Sequence, residues 1–214
     1  MTDRYVEAEV LVNANITQRK RVLLADSGDV PTTTSAGVGA LPSAFNNDAS
    51  LTVVEYGNGV IHKTVFTLNA LSVPVTDALA YASRQLYDFP EGRILVLGVT
   101  GSLQWAVTTD RSTTINDSAA LKWALGTASA SNITLSSTMV DLLPKTAVTL
   151  SAATTDLNTA SNAALAASAQ FDGTATAKDV LLNVGFETNT DIDADGTLTA
   201  TGVITLVWIN LGDY

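Results

Sequence analysis

The stretch Thr197–Leu211, TLTATGVITLVWINL, decides how the rest of the chain is read. Leu198, Ala200, Ile204, Leu206 and Trp208 fall on one parity, and Thr197, Thr199, Thr201, Val203, Thr205, Val207 and Ile209 on the other. Side chains of an extended chain alternate between faces with a period of two. The pattern is therefore a strand with one apolar face and one face of hydroxyls and branched methyls. Just upstream, Val180, Leu182, Val184 and Phe186 alternate with Leu181, Asn183, Gly185 and Glu187. Between the two lies Asp193-Ala194-Asp195-Gly196, and Asp-Gly is a strong turn signal, so a long hairpin is expected here.

The same period recurs toward the N-terminus. Val6, Ala8, Val10, Val12, Ala14 and Ile16 alternate with mostly polar residues, and a second short strand is expected at 21–25. Residues 26–50 are rich in Gly, Pro, Ser, Thr and Asn and read as a long loop or arm. Residues 51–56 and 60–71 form two strand patterns around Gly57-Asn58-Gly59, and Pro74 interrupts the pattern beyond them. Residues 83–89 read as a strand. The run RILVLGV at 93–99 reads as a strand buried on both faces, and 103–109 as its hairpin partner across Gly101. Further short strands are expected at 119–126, 133–135 and 148–150. Residues 155–170 are the best helix candidate, on the spacing of Leu157, Ala160, Ala164, Leu165 and Ala167, although their Ser, Thr and Asn compete for backbone hydrogen bonds. Eight or more strands with so little helix point to an all-β protein, an antiparallel β-sandwich of jelly-roll type, as a single domain over 1–214.

Composition removes several functions. The chain has 214 residues, 46% hydrophobic but only 15% charged, with no cysteine, one histidine and a formal net charge of −10. Without cysteine there is no disulfide framework, zinc–thiolate site or thiol nucleophile. An acidic surface repels phosphates, so neither nucleic acid nor an anionic membrane is an expected partner, and no apolar run approaches the roughly 20 residues of a spanning helix. The opening MTDRYVEAEV has no basic segment followed by an apolar one, so the chain is expected to stay in the cytosol of its producer or to leave by another route.

The motifs offer little chemistry. Asp191-x-Asp193-x-Asp195-Gly196 matches the opening of a calcium loop, where alternate carboxylates wrap a hard cation. The match then stops, because the twelfth position is Gly202 rather than a bidentate glutamate. An acidic turn kept soluble by its charge is the favoured reading, with calcium the sole cofactor candidate. His62 stands in a strand pattern with no nucleophile elbow nearby, and is expected beside Lys63 on a solvated or interface face. Glu7, Glu9, Glu55, Glu91 and Glu187 are available as carboxylates but lack clustered aromatics that would stack on sugars. Trp105, Trp123 and Trp208 are expected in the core or at subunit contacts. Trp208 and Phe186 are the candidate interface anchors. The basic cluster Arg19-Lys20-Arg21 reads as a solvated turn, or as an ion-pair partner for an acidic neighbour.

The phrases YGNGVIHKTVFTL (56–68), YDFPEGRILVLG (87–98), FDGTATAKDVLLN (171–183) and DADGTLTATGVITLVWINLGD (193–213) resemble virion structural proteins of tailed bacteriophages, some of them capsid decoration or cement proteins. The resemblance covers most of the chain and carries no catalytic signature. It implies a non-enzymatic, β-rich protein on the outer capsid surface, bridging neighbouring copies of the major capsid protein, often as a homotrimer and assembled in the host cytoplasm. Low charge density and abundant Thr suit that role. A tail-fibre or spike module binding host glycans, with aromatics displayed on an exposed loop, is the alternative. A cell-wall hydrolase, with two carboxylates across a cleft, is the other.

Overall fold

The computed structural model describes residues 5–11, 17–23, 49–57, 61–77, 79–107, 115, 120–150, 155–161, 170–173, 175–188 and 192–212. They form twelve strands: β1 Tyr5–Leu11, β2 Thr17–Leu23, β3 Leu51–Gly57, β4 Ile61–Val75, β5 Tyr81–Asp88, β6 Arg93–Val107, β7 Ala120–Gly126, β8 Leu143–Thr149, β9 Thr155–Ser161, β10 Gln170–Asp172, β11 Asp179–Phe186 and β12 Gly196–Asn210. A short 3-10 turn occupies Ser137–Met139. The expected arm at 26–50 lies outside the described residues except for its last two positions.

Two antiparallel sheets make a β-sandwich. The larger has the order β10-β6-β12-β4-β3, with β9 also on β6, and the smaller β5-β11-β7-β8. The strands pair in nested fashion: β4 with β12, β5 with β11, β6 with β9 and β10, and β7 with β8, all antiparallel. β1 and β2 form a hairpin of their own.

Several local expectations are corrected. The two C-terminal patterns are strands, but β11 and β12 belong to different sheets, so Asp193–Gly196 links the two layers rather than closing a hairpin. β4 runs on through Pro74 to Val75. β3 pairs only with His62–Leu68, and beyond that point a residue without an N–H is tolerated on that side of β4. The run at 93–99 does not turn at Gly101 but continues as one 15-residue strand with alternating burial, and Leu97 is 41% exposed. Residues 155–161, expected helical, are strand β9 on the edge of β6 at Thr100–Ala106. Their Thr, Asn and Ser side chains disfavour a helix, and the ladder supplies the backbone partners instead. Residues 133–135 form no strand. Arg19-Lys20-Arg21 stands in strand β2, not a turn, with Arg19 opposite Glu9 and Arg21 opposite Glu7 in the register.

The core lies between the sheets. Phe66, Leu68, Leu71, Val73, Trp105, Ile204, Leu206 and Trp208 of the large sheet meet Leu86, Tyr87, Leu121, Trp123, Val180, Leu182, Val184 and Phe186 of the small one. Two glycines fit the layers together. A Cβ on Gly101 would stand 2.8 Å from Trp123 Cη2, so this position is the recess that receives the indole. Gly202, at φ +148°, lies where the β12–β4 register shifts opposite Ala70, and a Cβ there would strike the Ser102 carbonyl oxygen at 2.1 Å.

The small sheet is covered on its far side as well. Every residue of β11 after Asp179 is buried, including the polar Asn183. The Asn183 amide nitrogen donates to the carbonyls of Ala128 and Met139, and its oxygen accepts from Ser83 Oγ and the Ala130 N–H. Asp141 completes the loop by accepting from the Thr127 N–H at 2.8 Å and from Thr127 Oγ1 at 2.7 Å. Segment 127–142 is thereby held over β7 and β11, enclosing Ala124, Leu135 and Met139.

Replacing Gly101 by Ala forces the Trp123 ring to shift and is expected to destabilise the fold by about 1–3 kcal/mol. Gly98→Ala on the same strand, where an added Cβ meets nothing within 4 Å, is expected to change stability by less than about 1 kcal/mol. Urea unfolding of both variants checks the contrast, and equal losses would refute the Trp123 recess.

Candidate functional site

The densest polar cluster is built from β3, β4, β5 and β12. Glu55 shares its parity with Leu51 and Val53, and His62 shares its own with Thr64, Phe66 and Leu68. Both therefore face inward when β3 and β4 pair, with Gly57 opposite His62. Nδ1 of His62 donates to Glu55 Oε1 at 2.6 Å, and the Tyr87 hydroxyl donates to Glu55 Oε2. The His62 ring stacks on Trp208 at 4.1 Å and 12° between planes, and the Trp208 indole N–H donates to Thr64 Oγ1 at 2.9 Å. Phe89 closes the cluster edge-on to both Tyr87 and Trp208. His62 Nε2 is buried with no hydrogen-bond partner among the described residues.

A histidine backed by a carboxylate is the arrangement of a general base. Such a base must reach a substrate proton, yet His62 is 0% and Glu55 7% exposed. In this fold the cluster ties β3 of the large sheet to β5 of the small one. The expectation of a solvated or interface face for His62 is thus corrected: pairing parity carries it into the core. That parity was the available signal for both residues, and it lay hidden because Glu and His usually mark the wet face of a strand.

The other candidates fall in separate places. Trp208 is 0% and Phe186 1% exposed, both inside the chain's own core, so neither ring offers surface to a neighbouring subunit, and the interface expectation for them is corrected. Trp105 and Trp123 sit 6.4 Å apart between the sheets. Asp191 lies outside the described residues. Asp193 and Asp195 are exposed, and Asp195 Oδ1 accepts the Asp77 N–H at 3.0 Å. Among the described residues no group of three or more His, Cys, Asp or Glu is placed to hold a metal ion.

One carboxylate pair stands apart. Asp179, at the start of β11, is opposite Asp88 at the end of β5. Burial lifts the Asp179 carboxyl above the usual carboxylate range, and its hydrogen bond and repulsion with Asp88 lift it further, against a smaller lowering by Gln85. The two are neighbours on one ladder and hydrogen-bonded to each other, rather than facing across a cleft as glycoside hydrolysis needs. Burial also raises Asp141, opposed by its bonds from Thr127. An open cleft of about 470 Å³ lies beside the start of β6, lined by Arg93, Leu95, Phe171, Asp172 and Leu211. Phe171 there is half-buried and tilted onto Phe89 at 5.2 Å.

No protein-family model matches the chain, and no curated protein matches it. Among solved structures, the chain is similar to two of infectious bursal disease virus. One is of the Gt strain (TM-score 0.37, 13% identity, 95% of this chain and 46% of that one) and the other of the Gx strain (TM-score 0.32, 13% identity, 95% and 47%). The chain spans less than half the length of either. At these values the likeness fixes neither family nor role.

Two predictions follow the two carboxylate sites. Glu55→Ala strands His62 Nδ1 and the Tyr87 hydroxyl in the core and is expected to cost about 3–5 kcal/mol in chemical unfolding; a loss under about 1 kcal/mol would mean the tie is not made. A carboxyl raised in the folded state binds its proton more tightly there, so its contribution to stability grows as pH falls from neutral toward the ordinary Asp value of about 3.9. Asp179→Asn lacks that gain. The melting temperature of the native chain relative to Asp179→Asn is therefore expected to rise between pH 7 and pH 4, and a falling difference would contradict the shared proton.

Proposed function

We propose that this chain is a non-enzymatic structural subunit of a virion, a bacteriophage capsid decoration protein that binds the major capsid protein on the outer surface. As a homotrimer assembled in the host cytoplasm, it bridges neighbouring capsomers and adds contact area that resists internal DNA pressure.

The observation that carries this reading is where the sandwich puts its chemistry. Trp105, Trp123, Trp208, His62 and Glu55, the residues that a sugar platform or an acid–base site would use, are enclosed in the core. What the large sheet turns outward is a field of Thr, Ser and branched aliphatics, with Thr52, Thr67, Ser72, Thr100, Ser102, Gln104 and Thr201 exposed. Such a surface acts by area and shape. The likeness of 56–68, 87–98, 171–183 and 193–213 to phage virion proteins supports the same role.

Purified capsids lacking the chain, mixed with it and sedimented, are expected to carry it down at a fixed saturating stoichiometry. Binding to host cells with none to capsids would replace this reading by a fibre or spike module. Turnover of peptidoglycan would replace it by a hydrolase.

A further inference from the structure

The outer face of the large sheet carries an apolar patch within an otherwise polar field. Ile209 on β12 stands between Ile61 on β4 and Leu95 on β6, and Val207, Thr205 and Val203 follow it along the strand. Ile61 is 46%, Val203 44% and Leu97 41% exposed, while Val65, Val207 and Ile209 are half-buried. Leu97 owes its exposure to the register shift between Val207 and Trp208, which leaves it without a counterpart on β12.

The charge of this face sets it apart. The chain carries 21 Asp and Glu against 11 Lys and Arg, yet β3, β4, β6 and β12 contain a single acidic residue, Glu55, and it is turned into the core. The charged residues these four strands leave on the outer side are Lys63 and, at the start of β6, Arg93, which stands opposite the exposed Asp172 of β10. Lys63 lies over the Tyr56 ring at 4.9 Å, so its own chain already accommodates its charge. A basic partner is drawn to the acidic remainder of the molecule. A partner as acidic as this chain meets little like charge at this face, and a second copy is such a partner by construction.

We infer that the outer face of the β3-β4-β12-β6 layer is the self-association surface of the chain, and that copies bring their Ile61, Val203, Val207 and Ile209 together about the symmetry axis. This rests on the proposed homotrimer and names its contact. It moves the anchors from Trp208 and Phe186, which are core, to the opposite side of the same sheet.

Light scattering and sedimentation velocity of the full chain test it. The native chain is expected to be trimeric at micromolar concentration, and Val203→Asp, which sets a carboxylate into an apolar contact, is expected to weaken assembly by at least tenfold. Because the chain has no cysteine, Val203→Cys and Leu79→Cys with a short bis-maleimide give an independent readout in case the charged variant fails to fold. Leu79 is 45% exposed and lies outside the large sheet. Covalent multimers from Val203→Cys but not from Leu79→Cys support the surface. A native chain that stays monomeric, or a trimer indifferent to Val203→Asp, overturns it. So does a Val203→Asp trimer that has lost only its capsid binding, since the face would then belong to the shell protein. A native trimer that ignores capsids while Val203→Asp is monomeric leaves the surface standing and removes the decoration role instead.

Discussion

Glu55 occupies the seam where the two sheets meet, and its carboxylate is held by one donor from each layer, His62 and Tyr87. A buried carboxylate is tolerable only when its oxygens are satisfied, so β3 has one acceptable register on β4. A slip of one residue would turn Glu55 to solvent and bring Val54 inward, leaving the Tyr87 hydroxyl and His62 Nδ1 without their acceptor. The stack of His62 on Trp208, and the bond from Trp208 to Thr64, extend the same constraint to β12. Four strands thus agree on one arrangement because one acid must be satisfied.

The rest of the packing is shape complementarity with an asymmetric outcome. Trp123 enters the large sheet at Gly101, which sets the layers against each other. On the small sheet Asn183, with its amide fully bonded, holds segment 127–142 across the outer side. Among the described residues, one sheet is therefore covered on both faces, while the outer face of the other keeps exposed side chains such as Thr67, Ser102 and Val203. The outer side of β3, β4, β6 and β12 presents no acidic side chain, in a chain of net charge −10. The sealed Glu55–His62 pair acts as part of the scaffold behind that side.

What the amino-acid sequence determined by itself was parity. It fixed that Leu198 to Trp208 share one face and Val203 to Ile209 the other, that strands dominate, and that residues 51–71 pair about a glycine turn, because alternation and turn chemistry are local. It did not determine what each apolar face packs against. A continuous pattern through Gly101 read as two strands because the use of that glycine, a recess for Trp123, lies on another sheet. Asp193–Gly196 read as a hairpin because a turn signal does not say whether the chain stays in its layer. Residues 155–161 took the free edge of β6 over a weak helical spacing. His62 and Glu55 read as wet residues, since their burial is acceptable only through each other and Tyr87. Those outcomes depend on residues distant in the chain whose energies are realised only when the layers close, and so the tertiary structure alone decided them.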